Sequence, residues 1–216
     1  LNSPETAVFS KSRSLYGLNA ARSECRVTET VYIVEGYFDL LSLHQHGMRN
    51  SVATLGTAIT PEHVQMLRGI IGKDGKFILV YDSDDAGIKA AYRSIEIFDR
   101  GYADARILVL PSGYDPDSYL VKYGAESFRK TVSGSLGAVS FLINSAIKKH
   151  GLSVEGKIRV ISELKTALAS IADGVARSLY IRELAEKIDI DEIKHETKAV
   201  KEDDGIDDID PNDIPF

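Results

Sequence analysis

The stretch Phe77–Ala91, "FILVYDSDDAGIKAA", runs five apolar or aromatic residues straight into Asp82, Asp84 and Asp85. Its first part reads as a strand buried on both faces. Carboxylates this close repel one another and raise each other's pKa unless a positive charge sits between them. A single aspartate ahead of a helix serves as a cap. Asp82 and Asp84 together ask for a cation.

Working outward, "TVYIV" (Thr30–Val34) has the β-branched and aromatic content of a short buried strand. "FDLLSLHQHG" has helical spacing and ends at Gly47, a suitable residue just past a helix C-terminus. "SVATL" reads as a second strand. "TPEHVQMLRGI" predicts a helix with Thr60 as N-cap and Pro61 in its first turn. "KFILVY" is a third strand. After it, Ile88, Ala91, Tyr92, Ile95 and Phe98 share one helical face, closed by Gly101. "ARILVLP" is a fourth strand, ended by Pro111. This alternation predicts an α/β fold with a mainly parallel sheet flanked by helices. From about Ala125 the pattern changes to helices alone, in "SLGAVSFLINSAIKKHG", "EGKIRVISELKTALASI" and "GVARSLYIRELAEKI". They predict a small all-α subdomain. The stretch from about Lys198 is acidic and poor in large apolar groups, so a disordered acidic tail is expected.

The 216 residues suffice for one or two domains with a sizeable core. The net charge of −6 comes from the tail: residues 202–216 hold seven acidic side chains and no basic ones, which leaves the body near neutral. The single cysteine, Cys25, excludes a disulfide framework and a Cys-based zinc site. No apolar run reaches membrane-spanning length and there is no signal peptide, so no membrane partner and a cytoplasmic location are expected. The first residue is Leu1 rather than Met, as in a fragment of something longer.

Ligands of a parallel sheet sit beyond the carboxyl ends of its strands. Glu35 follows the first strand, with Asp39 one helical turn on; Asp82 and Asp84 follow the third; Asp115 and Asp117 follow the fourth. Each acid alone suits a cap or a solvated loop. Three strand ends that all carry acids predict convergence on one rim, where hard oxygen ligands favour Mg²⁺ or Mn²⁺ over zinc.

A strand-end glutamate followed by D-x-D-x-A-G resembles the Toprim fold. Five segments, "LNSPETAVFSKSRSLYGL", "VEGYFDLLSLHQHG", "ATLGTAITPEH", "YDSDDAGIKAAYRS" and "LPSGYDPDSYLVKYG", resemble in order and spacing the RNA polymerase domain of DnaG-type bacterial primases. The similarity runs from about Leu1 to Ile190. It implies DNA-templated synthesis of short RNA primers from ribonucleoside triphosphates on single-stranded DNA, by metal-dependent nucleotidyl transfer. It maps catalytic cation binding to Glu35, Asp82 and Asp84, with Asp39, Asp115 and Asp117 adding carboxylates around two or more ions. One cation would lower the pKa of the primer 3′-hydroxyl, and both would stabilise charge on the α-phosphate and pyrophosphate. Asn2, Lys11 and Arg13 map to groups that face nucleotide or template.

The resemblance also divides the chain. Residues 1–28 correspond to a remnant of the N-terminal polymerase subdomain, 29–111 to the Toprim domain and 112–190 to the metal-site loop and helical subdomain. Residues 198–216 form the acidic tail. Family members carry an N-terminal zinc-binding domain and a C-terminal domain that binds the replicative helicase. Both are expected to be absent here.

Other residues receive plainer readings. His44, His46 and His63 are expected on helix surfaces or in a groove. Thr57 belongs to the site or to a turn. Lys89 and Arg93 lie opposite the apolar stripe of their helix and suit solvent or phosphate. Tyr32 and Tyr92 suit the core, and no tyrosine nucleophile of the topoisomerase kind stands out. The tail's end, "DDIDPNDIPF", is similar to the acidic tip of bacterial single-stranded DNA-binding proteins. Ile214, Pro215 and Phe216 would then meet the partners of such tips, with the aspartates steering the encounter. The alternative to an enzyme is an incomplete primase fragment, or another Toprim protein, acting mainly as a replication-protein interaction module through this tail.

Overall fold

In the computed structural model, the described residues are 5–6, 9–54, 58–81, 89–90, 93–94, 97–98 and 105–189. A five-stranded sheet of order β2-β1-β3-β4-β5 organises them. Its strands are β1 (Thr30–Val34), β2 (Ser51–Ala53), β3 (Lys76–Tyr81), β4 (Ala105–Val109) and β5 (Leu136–Gly137). The first four run parallel; β5 pairs antiparallel with β4 through Arg106↔Gly137 and Ile107↔Leu136. The helices are α1 (Leu18–Thr28), α2 (Tyr37–Gln45), α3 (Pro61–Ile71), α4 (Pro116–Ser133), α5 (Ala138–His150), α6 (Val154–Ser170) and α7 (Gly174–Lys187).

Alternation along the strands builds two cores. Val31, Ile33, Phe77, Leu79, Tyr81 and Ile107 face α1 and α3, meeting Ala21, Cys25, Val64, Leu67 and Ile70. Val34, Ile78, Val80 and Leu108 face α2 and α4, meeting Leu40, Leu43, Tyr119, Leu120 and Phe128. Burial on both faces is why "TVYIV" and "KFILVY" are continuous apolar runs rather than alternating ones. Cys25 is a core hydrophobe; burial pushes its thiol up to about 11, so it stays protonated. A third core joins α5, α6 and α7 through Leu142, Ile143, Val160, Leu164, Leu168 and Leu184. Ala138 and Phe141 of α5 also pack against the sheet, which ties the helical layer to it.

The helix starts follow their capping residues. Thr60 accepts from the His63 N–H at 3.2 Å with Pro61 in the first turn, and Ser153 caps α6 through the Gly156 N–H. Asp173 accepts from the N–H groups of Val175 and Ala176. Gly47 has φ 84° just beyond α2 and its C-cap His46, the left-handed stop expected there.

Two expectations need correction. A helical segment already starts at Pro116, ahead of the helices expected from about Ala125: Asp115 and Ser118 form a reciprocal capping box around Pro116. The α4 segment is kinked at Gly124 (φ 78°, ψ 172°), after which the expected helix follows. "SLG" is not helical. Leu136 and Gly137 instead add a strand that covers the edge of β4. Of the helix expected over 88–98, residues 89–90, 93–94 and 97–98 are helical, with Phe98 buried and Lys89 and Arg93 exposed. Ile88, Ala91, Tyr92, Ile95 and Gly101 lie outside the described residues, as does the tail from 190 onward.

Leu164, 1% exposed, sits at the centre of the three-helix core. Leu164→Ala should cost about 2–5 kcal/mol in urea denaturation followed by circular dichroism. A loss under about 1 kcal/mol would show that the helices do not pack as one core.

Candidate functional site

The chain leaves β1 to form β2 on one side of it and returns to form β3 on the other. This reversal makes a crevice above the carboxyl ends of β1 and β3, the place where open parallel sheets take ligands. Glu35 directly follows β1 and is exposed. The pairing Ile33↔Leu79, continued two residues, sets Glu35 level with Tyr81, the last residue of β3. Asp82 is the next residue along the chain.

Gly36 starts α2 in extended geometry, and Asp39 occupies the first turn. A Cβ on Gly36 would stand 2.6 Å from Asp39 Oδ2. Glycine here therefore lets the Asp39 carboxylate lie against the start of α2 at Gly36. Tyr81 is nearly buried and its hydroxyl bonds to Ser94. Burial first, and then the negative charge of Glu35, pushes its phenol well above the usual range. The field of Glu35 is thus felt at the end of β3.

Beyond β4 the chain turns through a Tyr114 N–H bond to the Pro111 carbonyl and reaches Asp115. Asp115 Oδ1 accepts from the Ser118 N–H at 2.8 Å and from the Ser118 hydroxyl at 2.5 Å. The Ser118 side chain, then its backbone, holds the Asp115 carboxyl below the usual range. Asp115 is therefore a helix cap as well as a strand-end acid. Asp117 is exposed in the first turn of α4. Beside them, the Lys122 ammonium hydrogen-bonds the Tyr114 hydroxyl and lies 4.9 and 5.1 Å from the Tyr114 and Tyr123 ring centres. That bond pulls the Tyr114 phenol below its usual range.

Lys11 and Arg13 lie on a 3₁₀ turn, Lys11–Arg13, that is bonded to the start of α3. Past it, Tyr16 pairs with Ala53 at the end of β2 through bonds of 2.9 and 3.1 Å. Arg13 is exposed and borders a groove of about 540 Å³ that includes Tyr16, Leu41 and His44.

Among the described residues, no three acidic, histidine or cysteine side chains form a metal cage. Glu35 and Asp39 follow β1, Asp115 and Asp117 follow β4, and β3 lies between those two strands. Asn2, Thr57, Asp82, Asp84, Ile214, Pro215 and Phe216 lie outside the described residues. The donors present are carboxylate oxygens at a switch point, which suit a hard divalent cation.

Of the histidines expected on helix surfaces or in a groove, His44 lines the groove and His63 departs from that reading. His63 is fully buried, and its Nε2 lies 2.9 Å from the Lys11 carbonyl and 3.1 Å from that of Ser14. His44 and His46 bond the carbonyls of Ser51 and Ser42 at the end of α2. The signal for His63 was present: it shares the apolar face of α3 with Val64, Leu67, Ile70 and Ile71. Tyr81 gave no such signal, because its place in a buried strand reads as core alone.

Comparison with known proteins gives this geometry a family. Residues 32–120 match a family model described as Toprim-like. Residues 139–192 match the DnaB-helicase binding domain of primase. That second match corrects the expectation that helicase-binding sequence is missing: it covers α5–α7, ahead of the tail. The DNA primase of Clostridium acetobutylicum is 36% identical over 89% of this chain and 32% of its own length; that of Escherichia coli K12 is 37% identical over 88% and 33%. The chain spans about a third of the length of these curated relatives. Among solved structures, the DnaG catalytic core aligns with TM-score 0.73 and 33% identity over 88% of this chain and 62% of that one. The DnaG primase catalytic domain bound to ssDNA gives TM-score 0.72 and 32% identity over 86% and 60%. Over its Toprim sheet and the helices that follow, this chain belongs to the bacterial DnaG-type DNA primase family.

Proposed function

We propose that this chain is the cation-binding catalytic part of a primase, which joins ribonucleoside triphosphates into short RNA primers on a single-stranded DNA template. The observation that supports this reading is that Glu35 and Asp39 follow β1, Asp82 follows β3, and Asp115 and Asp117 follow β4, all at carboxyl ends of parallel strands. Glu35, Asp82 and Asp84 would hold two or more Mg²⁺ ions, with Mn²⁺ able to substitute, and Asp39, Asp115 and Asp117 would complete the acidic rim. Divalent cations, when bound there, supply the Lewis acidity that phosphoryl transfer needs. Asp115 has one oxygen committed to its cap, which fixes the carboxylate's orientation. Asn2, Lys11 and Arg13 would face nucleotide or template phosphate.

A partner-binding role accompanies the enzymatic one. The helicase-binding match on residues 139–192 supports contact with a replicative helicase through α5–α7. Val154, Ile158 and Ile161 form an exposed apolar stripe on α6 at i, i+4 and i+7. The acidic tail, with Ile214, Pro215 and Phe216, would engage partners of single-stranded DNA-binding protein tips. No helix among the described residues is long and apolar enough to cross a membrane.

Asp82→Asn should reduce primer synthesis on single-stranded template by more than about 100-fold, since cation stabilisation of phosphoryl transfer is worth several kcal/mol. Metal-free stability should hold or rise, because one repelling charge is gone. Unchanged Mn²⁺ affinity by calorimetry would remove Asp82 from the site. Lys11→Ala should weaken single-stranded DNA binding and make its logarithmic salt slope shallower by about 0.7, one phosphate contact. An unaltered slope would return Lys11 to the solvated surface. For partners, Ile158→Asp should reduce helicase capture, whereas deletion of residues 214–216 should spare it and abolish binding of proteins that take single-stranded DNA-binding protein tips. Equal helicase capture by Ile158→Asp and the unaltered chain would exclude the α6 stripe; tip-partner binding that survives the deletion would exclude the tail.

A further inference from the structure

The turn that carries Lys11 and Arg13 has no buried residue of its own. Apolar packing therefore does not fix it until Leu15, which is in the core. Besides the Glu5 carboxylate, which accepts from the Lys11 N–H at 2.9 Å, what meets the turn is the start of α3. The Thr60 hydroxyl donates to the Ser12 carbonyl at 2.7 Å while its oxygen accepts the His63 N–H. His63 Nε2 lies within 3.1 Å of two carbonyl oxygens, those of Lys11 and Ser14, which only accept. Nε2 must then carry the proton and donate to both. The other ring nitrogen, Nδ1, is buried without a partner, as befits a neutral imidazole. Burial lowers the His63 pKa, which keeps the ring in that state. Three carbonyls of one short turn, at Lys11, Ser12 and Ser14, are thus held by two side chains of one helix.

We infer that Thr60 and His63 are positioning residues: they latch the Lys11–Arg13 turn to the start of α3, so that both cations stand at the sheet rim before single-stranded DNA arrives. The inference rests on the primase reading for its ligand. A turn already held loses less freedom on binding, so the latch acts by preorganisation. Thr60 has two separable duties. As N-cap it accepts a bond, a task aspartate performs equally well. As latch it donates one, which an ionised aspartate cannot do.

Thr60→Asp therefore separates helix capping from latching, and Thr60→Ser retains both. In Thr60→Asp the melting temperature should stay within a few degrees of the unaltered chain. Trypsin cleavage after Lys11 and Arg13 should quicken, and affinity for a single-stranded DNA oligonucleotide should fall about tenfold with a shallower salt slope. Mn²⁺ affinity should not change, and Thr60→Ser should restore every value. His63→Gln, which places an amide donor near the position of Nε2, should be milder than His63→Leu.

Cleavage after Lys11 and Arg13 at the unaltered rate in Thr60→Asp would overturn the latch, whatever the DNA result. Faster cleavage with unchanged DNA affinity and slope would overturn its role in binding. Absence of salt-dependent DNA binding by the unaltered chain would overturn the primase reading, and with it the ligand of the latch, while the cleavage arm still judges the latch itself.

Discussion

Parallel pairing of β1 with β3, from Thr30↔Lys76 to Ile33↔Leu79, is the constraint on which the site depends. With β2 on the outer side of β1, the connections on either side of that pair part and leave a crevice above it. The register sets what faces the crevice. Glu35 falls level with Tyr81, the last residue of β3. A one-residue slip would turn Val31 and Ile33 out of the core they share with α1 and α3. The apolar pattern that builds the core therefore also fixes the position of the acids.

The same arrangement explains why capping residues and site residues coincide. Each helix that follows a parallel strand starts on the rim where that strand ended, so α2, α3 and α4 begin there at Gly36, Thr60 and Asp115. Asking whether an acid is a cap or a ligand poses a false choice at such a rim. Asp115 satisfies its helix with Oδ1 bound to Ser118 and still belongs to the acidic edge. The two faces divide the work: α2 and α4 bring acids, whereas α3 steadies the segment that brings cations.

Much of this was legible in the residues. "TVYIV" and "KFILVY" coincide with β1 and β3 because a strand buried on both faces leaves a continuous apolar run between polar ends. Thr60-Pro61 fixed the start of α3 because both residues suit that place for separate reasons. That Glu35 stands after β1 and Asp115 after β4 followed from strand order alone. Less legible was anything decided by tertiary contact. Leu136–Gly137 is too short to show a period, and only the open edge of β4 makes it a strand. His63 read as a helix-surface or groove residue although it shares the apolar face of α3, because its partners, the carbonyls of Lys11 and Ser14, are about fifty residues away in sequence. Asp115-Pro116 read as loop because a capping box needs Ser118 to be recognised with it.

The helical layer bears on how a partner and the rim coexist. Its core is its own, yet α5 leaves directly from β5 and packs Ala138 and Phe141 against the sheet. The join is made at Arg106 and Ile107, in the first half of β4, whereas the acidic rim begins beyond Val109 at the opposite end of that strand. Polar bonds between helices hold the layer's shape: Ser140 with Glu183, Lys187 with Asn144, and Lys149 and His150 with Glu163. The buried side of α6 uses Val160, Leu164 and Leu168, so Val154, Ile158 and Ile161 contribute little to that core and remain open to solvent. The stripe therefore belongs to a layer whose join to the sheet lies at the far end of β4 from Asp115 and Asp117.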